Sequence, residues 1–344
     1  MVELRGADIQ ARLKDIDDYI RGEYLKEHPK KERDWRTYEQ QFARRIYTAM
    51  KSLEPLIHEA VSTLHVEPRA GHPYSLTLEQ RVKVLLIKQL VGESNRMFAG
   101  MLVVFSLLDD IDISYKTVER LYSDEEVALA VHNLHVLILK KKGITASDAT
   151  GDGTGYSLTI KKNYESYAQK LKDKAKVEEG GSSSGTGDKP VVHRRRLFAY
   201  TFTIMDLATR LYLAYGSSTK SERGAFDKAI IMLSGMGVDV NSMRLDRYYS
   251  YPTYVDMFGD GKVYVMPKRN STLKGSWKWK GTMKEFVRNT MSYLEQYHKR
   301  SNSEAGFAAD KKMLGWGVAQ RREDRIYSAL FCVGLWHNLF NMGR

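Results

Sequence analysis

The chain of 344 residues carries 54 Lys and Arg against 42 Asp and Glu, a formal net charge of +12, and 42% of its residues are hydrophobic. Its 21 Tyr, 11 Phe and 5 Trp exclude a disordered low-complexity chain, and the length predicts about two domains. The single cysteine, Cys332, excludes a disulfide scaffold and argues against a zinc finger, so we expect a reducing compartment.

The opening residues and the overall charge predict where the protein works. MVELRGADIQ carries charges where a signal peptide needs an apolar stretch, and no window reaches the roughly 18 apolar residues that span a bilayer. We therefore expect a soluble, cytoplasmic protein. The positive charge leaves nucleic acid, an anionic membrane or an acidic protein as partner, and nucleic acid is favoured for a basic cytosolic protein.

Residues 1–140 predict an all-α domain, because apolar residues recur three and four positions apart and strand patterns are almost absent. From Ser75 three helices follow: one ends at Gly92, one begins at Ser94, and a short one is capped by Ser114. A trio with a tight third helix resembles a helix-turn-helix.

The third helix of this trio is the candidate for reading DNA. Val118 and Leu121 are predicted to pack inward. The residues expected to face a groove are Tyr115, Lys116, Glu119 and Arg120. An ordinary helical bundle is the alternative, because helix trios are common and the preceding acidic segment SLLDDID would lie poorly against phosphates.

After Gly143 the sequence changes to strands and turns in the order strand, hairpin, helix, strand, helix, strand, helix, which is typical of an α/β fold. The hairpin turn is predicted at residues 206–209. A segment rich in Gly, Ser and Lys near residues 170–192 is predicted to be a flexible insertion. The chain thus divides into a helical domain, residues 1–140, and an α/β domain, residues 141–344.

Three acidic residues fall where an α/β sheet presents side chains to one edge. Asp148 lies in the first strand of this half, Asp246 follows the strand SMRL, and Glu304 lies in a later helical stretch. Carboxylate oxygens suit Mg²⁺ or Mn²⁺, and three carboxylates can hold two ions about 3.5–4 Å apart that act on a phosphodiester. Each acid alone is equally explained as a turn former or helix cap.

The surroundings of Glu304 distinguish it from other acids. Two residues separate Tyr297 from Arg300, three separate Arg300 from Glu304, and six separate Glu304 from Lys311, so that one helix would place all four on a shared side. This spacing resembles the Tyr-Arg-Glu-Lys signature of the DDE insertion-sequence transposases of the family-four type. The stretches DATG and LDRYYS resemble the first and second Asp blocks of that family.

The resemblance spans roughly residues 143–344 and implies an RNase H-like catalytic domain with a mixed sheet. It implies that Asp148, Asp246 and Glu304 bind two Mg²⁺ or Mn²⁺ ions, and that the enzyme hydrolyses DNA at the transposon ends. The freed 3′-hydroxyl would then attack target DNA. A homodimer that pairs two ends and an association with the nucleoid of a prokaryotic cell are expected on the same ground.

The resemblance also assigns roles around the acids. Arg300 and Lys311 would hold phosphates of the end DNA, and Tyr297 would pack against the same strand. The first acid block leaves two choices: Asp148 is favoured because ITAS before it matches a strand, and Asp152 in GDGTG is the alternate first ligand.

Basic and aromatic residues elsewhere suit contacts with phosphates and unpaired bases. They follow the second Asp, end the strand KVYVMPKRN, and lie in the segment NSTLKGSWKWKGTMK, whose alternative is a solvated loop with its tryptophans packed inward. The residues predicted to bind DNA here are Arg247, Lys268, Arg269, Trp277, Lys278, Trp279 and Lys280. The run HRRR at residues 193–196 fits an exposed strand start slightly better than a phosphate clamp.

Three functions are compatible with these sequence features. An active transposase is favoured, because three acids within a basic surface have catalysis as their most direct explanation. A transposase-derived DNA-binding regulator without catalysis, and an RNase H-like nuclease without strand transfer, are the alternatives.

Overall fold

The computed structural model describes residues 5–19, 34–65, 74–109, 113–158 and 198–343, so the predicted insertion near 170–192 and the basic run 193–196 lie outside the described residues. The helices are α1 (Gly6–Tyr19), α2 (Trp35–Ser62), α3 (Leu78–Val91), α4 (Asn95–Asp109), α5 (Tyr115–Leu121), α6 (Glu125–Lys141), α7 (Glu222–Ser234), α8 (Pro252–Asp256), α9 (Trp277–Arg288), α10 (Thr290–His298), α11 (Ser301–Leu314) and α12 (Glu323–Asn341). The strands are β1 (Ala146–Leu158), β2 (Phe198–Asp206), β3 (Tyr212–Ser218), β4 (Asp239–Leu245), β5 (Lys262–Val265) and β6 (Gly317–Val318).

Local capping sets the helix boundaries of the helical region. Thr77 and Gln80 form a reciprocal capping box at the start of α3, and Gly92 ends that helix in the left-handed conformation at a φ of 74°. The Ser114 side chain caps α5, and Asp124 accepts two backbone N–H groups at the start of α6. The predicted end at Gly92 and the predicted starts at Ser94 and Ser114 are confirmed to within one residue, whereas the first of the three helices begins at Leu78 rather than at Ser75.

The sheet is mixed, as predicted, and β1 is its central strand. The order is β3-β2-β1-β4-β5, with β6 pairing beside the far end of β1. The β1–β2 and β2–β3 pairs are antiparallel, whereas the β1–β4 and β4–β5 pairs are parallel. The parallel arrangement brings the carboxyl ends of β1, β4 and β5 toward one edge.

The β2–β3 hairpin is confirmed at its predicted turn. The Asp206 carboxylate accepts hydrogen bonds from the backbone N–H of Thr209 at 2.6 Å and from its hydroxyl at 2.7 Å. The next residue, Arg210, has a φ of 64°, the one positive φ outside glycine among the described residues. An Asp-anchored turn followed by a left-handed residue is a common way to close a hairpin.

The two faces of β1 meet different helices. A Cβ on Gly153 would lie 2.4 Å from the Glu222 side chain of α7, and one on Gly151 would lie 2.9 Å from the Phe202 ring. These glycines allow α7 and the β2 side chain to approach closely, and they explain why β1 continues through GDGTG. Side chains alternate across a strand, so Thr150 and Asp152 point to the opposite face, toward α11.

The helical region and the sheet share one continuous cluster of buried apolar residues, which runs from Ile9 to Phe340. Helix α12 joins the two regions, because it contacts α2, α3 and α6 as well as β3. Its Trp336 is fully buried and donates its indole N–H to the Leu86 carbonyl at 2.9 Å. None of the helices in the described ranges is both long and apolar enough to cross a membrane.

Candidate active site

Helix α11 packs against one face of β1, and its contacts fall on alternate residues of that strand. Residues on one side of this helix recur at helical spacing, and each meets an alternate residue of the strand. The three contacts are Arg300 Nη1 to Asp152 Oδ2 at 2.9 Å, Ser303 Oγ to Thr150 Oγ1 at 3.1 Å, and Lys311 Nζ to Thr154 Oγ1 at 2.7 Å. Two signature residues, Arg300 and Lys311, therefore contact the central strand from the same side.

The register between β1 and β4 decides which acids come together. Thr150 pairs with Arg244, and two residues further along both chains Asp152 comes level with Asp246, just beyond the end of β4. Both side chains alternate onto the α11-facing side of the sheet. Glu304, in the first turn of α11, completes a group of three carboxylates.

The Arg300 guanidinium connects two of these acids. Its Nη1 bonds Asp152 at 2.9 Å and its Nη2 bonds Glu304 at 2.7 Å. Burial raises the pKa of Asp152 to about 6; Arg300 opposes this shift, whereas the negative charges of Asp246 and Glu304 add to it. The three carboxylates thus interact electrostatically around a single guanidinium.

Tyr297 lies beside this group but on another helix than expected. Helix α10 ends at His298 and α11 begins at Ser301, so the prediction of one uninterrupted helix through the signature is wrong. Tyr297 occupies the last turn of α10, and its pKa is raised mainly by burial and opposed by Arg300. The break lets Arg300, in the N-cap position of α11, reach both Asp152 and Glu304.

The structure does not bring Asp148 to this group, which corrects the expectation that it would lie with Asp246 and Glu304. Asp148 precedes Asp152 by four residues on the same strand, a separation of about 13 Å at 3.3 Å per residue. It is exposed and accepts a hydrogen bond from the Ser242 hydroxyl. Asp152, the alternate in the sequence, occupies the place expected for Asp148.

The fit of the three acids to metal ions can be judged from their present contacts. Within the described ranges no three His, Cys, Asp or Glu side chains stand close enough to hold a metal ion. Arg300 bonds Asp152 and Glu304 through different nitrogen atoms and so lies between them. Carboxylate oxygens nevertheless suit a hard divalent cation. The three acids repel one another, and in this structure the positive charge of Arg300 offsets that repulsion.

Lys311 lies further along β1 than the acids. In addition to its bond with Thr154, its ammonium lies 4.9 Å from the ring centre of Trp316 and 5.4 Å from that of Tyr156. Burial lowers its pKa. Trp316 is 68% exposed, so this end of the site offers a cation beside an accessible aromatic ring.

A basic and aromatic surface follows Asp246. Arg247 and Arg269 are exposed, and the Lys268 ammonium lies 3.8 Å from the ring centre of Tyr251 and bonds the Tyr248 carbonyl at 3.2 Å. Tyr248 and Tyr251 are about half exposed. These two tyrosines were not among the predicted DNA-binding residues, although the run RYYSY directly after the second Asp is a visible signal.

The two tryptophans of the Trp-Lys segment differ in role. Trp277 begins α9 and is 83% exposed, with the Lys280 ammonium 5.3 Å from its ring centre. Trp279 is 2% exposed and donates its indole N–H to the Thr272 carbonyl at 2.8 Å. The expectation that the Trp279 ring meets a base is therefore corrected: it is a core residue. The Lys278 ammonium bonds a backbone carbonyl at 2.7 Å.

The predicted reading helix, α5, has a partly different outer face than expected. Val118 and Leu121 are buried, and Lys116 and Arg120 are exposed, as predicted, with Tyr115 half-buried beside them. Glu119 instead forms an ion pair with Arg325 of α12. This contact corrects the expectation that Glu119 faces a groove. The helix-turn-helix interpretation stays a prediction.

Sequence reasoning also missed Arg244, which joins the sheet to α10. This side chain is 2% exposed and donates to the Ser242 hydroxyl at 2.6 Å and to the Gln296 side chain at 2.9 Å. It also donates to the Gln296 carbonyl at 3.1 Å. Because Gln296 directly precedes Tyr297, Arg244 fixes the end of α10 that supports the site; no local pattern in the sequence marks it.

Comparison with known proteins gives one informative match. No family model matches the chain. The chain is 40% identical over 329 residues to a protein of Archaeoglobus fulgidus described as the probable transposase for insertion sequence element ISA1214. The aligned region covers 95% of this chain and 92% of that protein.

Proposed function

The chain belongs to the transposases of insertion-sequence elements, and from this premise we propose that Asp152, Asp246 and Glu304 form the active site of a DNA transposase. The observation that carries this assignment is that Arg300 bonds both Asp152 of β1 and Glu304 of α11, while Asp246, just after β4, interacts electrostatically with Asp152 and Arg300. Two acids from neighbouring parallel strands and one from a covering helix suit catalysis on a phosphodiester.

We further propose that the catalytic domain is RNase H-like. The supporting features are the mixed sheet with its order β3-β2-β1-β4-β5, the central position of β1, and an acid on each of β1 and the loop after β4. Asp152 takes the part that the sequence analysis gave to Asp148.

The three carboxylates would hold two Mg²⁺ or Mn²⁺ ions, provided that Glu304 leaves Arg300. Glu304 is free to turn because 57% of its side chain is exposed. When bound, the ions would supply an activated nucleophile and stabilise the leaving oxygen. Arg300, released from Glu304, carries a fork of N–H donors that suits the oxygens of a phosphate.

The remaining cations of the site would position DNA. Lys311 and Arg300 lie along one helix side, and the exposed Arg247 and Arg269 follow the second acid. Contacts of this kind bind phosphates irrespective of base sequence and fix the strand relative to the carboxylates.

The reaction would break a P–O bond with water to leave a 3′-hydroxyl. That hydroxyl would then attack a target phosphodiester, so that one P–O bond forms as another breaks. Two copies would be needed to pair two ends.

The test uses the full chain with labelled duplexes that end in the terminal sequence of its element, and scores cleavage and joining to a second duplex separately. We expect both products with Mg²⁺ and neither with a chelator. Asp246→Asn should still bind the duplex and form neither product. Glu295→Gln, which changes an exposed acid on α10, is the matched control and should behave as the parent chain.

The outcomes separate the alternatives. Cleavage without joining would identify a nuclease without strand transfer. DNA binding without either reaction at any metal concentration would identify a DNA-binding regulator. Full activity of Asp246→Asn would overturn the site assignment.

A further inference from the structure

A second concave region lies on the side of α11 opposite the acids. It is a cavity of about 690 Å³, bounded by α2, the β2–β3 turn, α11 and α12. Its polar and aromatic lining includes Trp35, Arg45, Arg210, Lys312, His337 and Asn341. The cavity therefore joins the helical region to the sheet without including any of the three carboxylates.

The lining is positively charged. Arg45, Arg210 and Lys312 contribute cations from three different elements, and Lys312 pairs with Glu39 at the surface at 2.9 Å. The acid in the wall, Asp310, is already engaged: it accepts a hydrogen bond from the Tyr212 hydroxyl and shares another with His337 Nδ1, both at 2.7 Å. An anionic occupant suits this lining.

Arg210 is held in a backbone conformation that an arginine rarely adopts. Its φ is 64°, a left-handed value at which Gly or Asn is usual. The turn fixes this conformation, because the Arg210 N–H donates to the Asp206 carbonyl at 3.0 Å and its own carbonyl accepts from His337 Nε2 at 2.8 Å.

The Arg210 side chain has no compensating contact within the described residues. Its guanidinium makes no hydrogen bond or ion pair with another residue in the described part of the chain, although it lines the cavity. A strained position filled by a cation that makes no hydrogen bond or ion pair within the described residues points to a ligand outside them.

The shape and the aromatic residue indicate which anion fits. The cavity has the volume of a small-ligand site and admits a short stretch of one strand but not the body of a duplex. Trp35, at the start of α2, is 63% exposed and lies among these cations. Cations that follow a backbone, together with an accessible aromatic ring, are typical of single-strand binding surfaces.

We propose that this cavity binds the phosphodiester backbone of single-stranded DNA, with Arg210 contacting a phosphate and Trp35 stacking on a base. The inference rests on the proposed function for its partner, DNA. It does not depend on the carboxylate chemistry, because the cavity is on the opposite side of α11. It extends the proposed function by adding a place for a strand separated from its complement.

The test measures binding of a fluorescein-labelled oligothymidylate and of a blunt duplex to the full chain by fluorescence anisotropy at several salt concentrations. Arg210→Gly relieves the left-handed strain while removing the cation. We expect its melting temperature to be unchanged or about 2 °C higher. Single-strand affinity should fall about fivefold at 0.1 M salt, with the slope of log affinity against log salt reduced by about 0.7.

Two further variants keep the result interpretable. Arg210→Lys keeps the charge and should keep most of the affinity and the slope. Arg45→Gln removes a cation of the same cavity from another element and should weaken single-strand binding even if Arg210→Gly proves unstable. Arg223→Gln, an exposed charge on α7 across the sheet, is the matched control and should change neither measurement.

Unchanged single-strand affinity of both Arg210→Gly and Arg45→Gln would overturn the proposal, and so would an equal loss for single strand and duplex. Failure of the proposed function gives a different result. If the parent chain never cleaves DNA but the variants still lose single-strand affinity, the cavity remains a DNA-binding site and only the proposed catalysis is wrong. If the chain cleaves DNA and both variants bind single strands as the parent does, the proposed function stands and the cavity is not a DNA-binding site.

Discussion

Asp148 and Asp152 lie on the same face of the same strand, four residues apart, in very different surroundings. Asp148 is exposed, accepts a hydrogen bond from the Ser242 hydroxyl and interacts electrostatically with the buried Arg244. Asp152 is nearly buried, bonds Arg300, and shares its surroundings with two other acids that help to raise its pKa. At the amino-terminal end of β1 the charge of the single acid is thus balanced by that of Arg244. In the middle of the strand three acids share one arginine, Arg300.

The difference comes from the neighbouring strand rather than from the acid itself. The parallel strand β4 ends in an acid only at the level of Asp152; opposite Asp148 it presents a serine. The arginines differ as well: Arg244 is buried and bonded to the backbone of α10, whereas Arg300 is less buried and bonds the carboxylates of Asp152 and Glu304.

The largest expected effect separates the two acids by activity. Asp152→Asn should lower Mg²⁺-dependent cleavage by at least about 10³-fold, since loss of a metal-binding carboxylate removes several kcal/mol of transition-state stabilisation. Asp148→Asn should stay within about threefold of the parent chain. Single-turnover cleavage rates, with circular dichroism to confirm folding, make the comparison. The reverse ranking would return the site to Asp148.

A second comparison replaces the two arginines and measures stability beside activity. Arg244→Met leaves buried acceptors on Ser242 and Gln296 without a donor and should lower the free energy of unfolding by about 3 kcal/mol. Arg300→Gln should cost less, about 2 kcal/mol, because its bond with Glu304 is exposed and Asp152, whose pKa is about 6, can take up a proton when the arginine is lost; yet it should impair cleavage more severely. Denaturant unfolding and cleavage rates are measured on the same preparations. Equal stability losses would show that both arginines are mainly structural.

The smallest effect is a pH dependence of stability without divalent ions. The pKa of Asp152 is about 6 in the folded chain and near 3.8 ordinarily, so the folded state binds the extra proton between these values. The associated stability is complete near pH 4 and is lost as the pH rises through 6, an effect of about 1–2 kcal/mol. Melting temperatures in a chelator should therefore fall across this window relative to Asp152→Asn. Parallel curves for the two proteins would contradict the raised pKa.

Much of the architecture could be predicted because its signals are local. Ser114 and Gly92 mark helix ends through their own capping chemistry, and Asp206 marks a hairpin through bonds to residues three positions away. The spacing from Arg300 to Lys311 is likewise a property of one helix. Such patterns predict structure wherever the responsible contacts lie within a few residues.

The choice between Asp148 and Asp152 could not be predicted, because it depends on the register of β4 and on an irregularity between Ser147 and Asp148 in that pairing. The glycines of GDGTG make room in the sheet for side chains of distant elements, which no local pattern reveals. The burial of Trp279 and the ion pair between Glu119 and Arg325 also depend on partners far away in sequence.

The position of α12 has a consequence for how the polypeptide acquires its structure. This helix is buried along most of its length and packs against α2, α3 and α6, yet it is synthesised roughly 180 residues after α6 leaves the ribosome. During that interval the first helices lack the Trp336 side chain and the apolar surface that cover them. The helical region therefore reaches its final packing late, only after the strands of the sheet and then α12 have been synthesised.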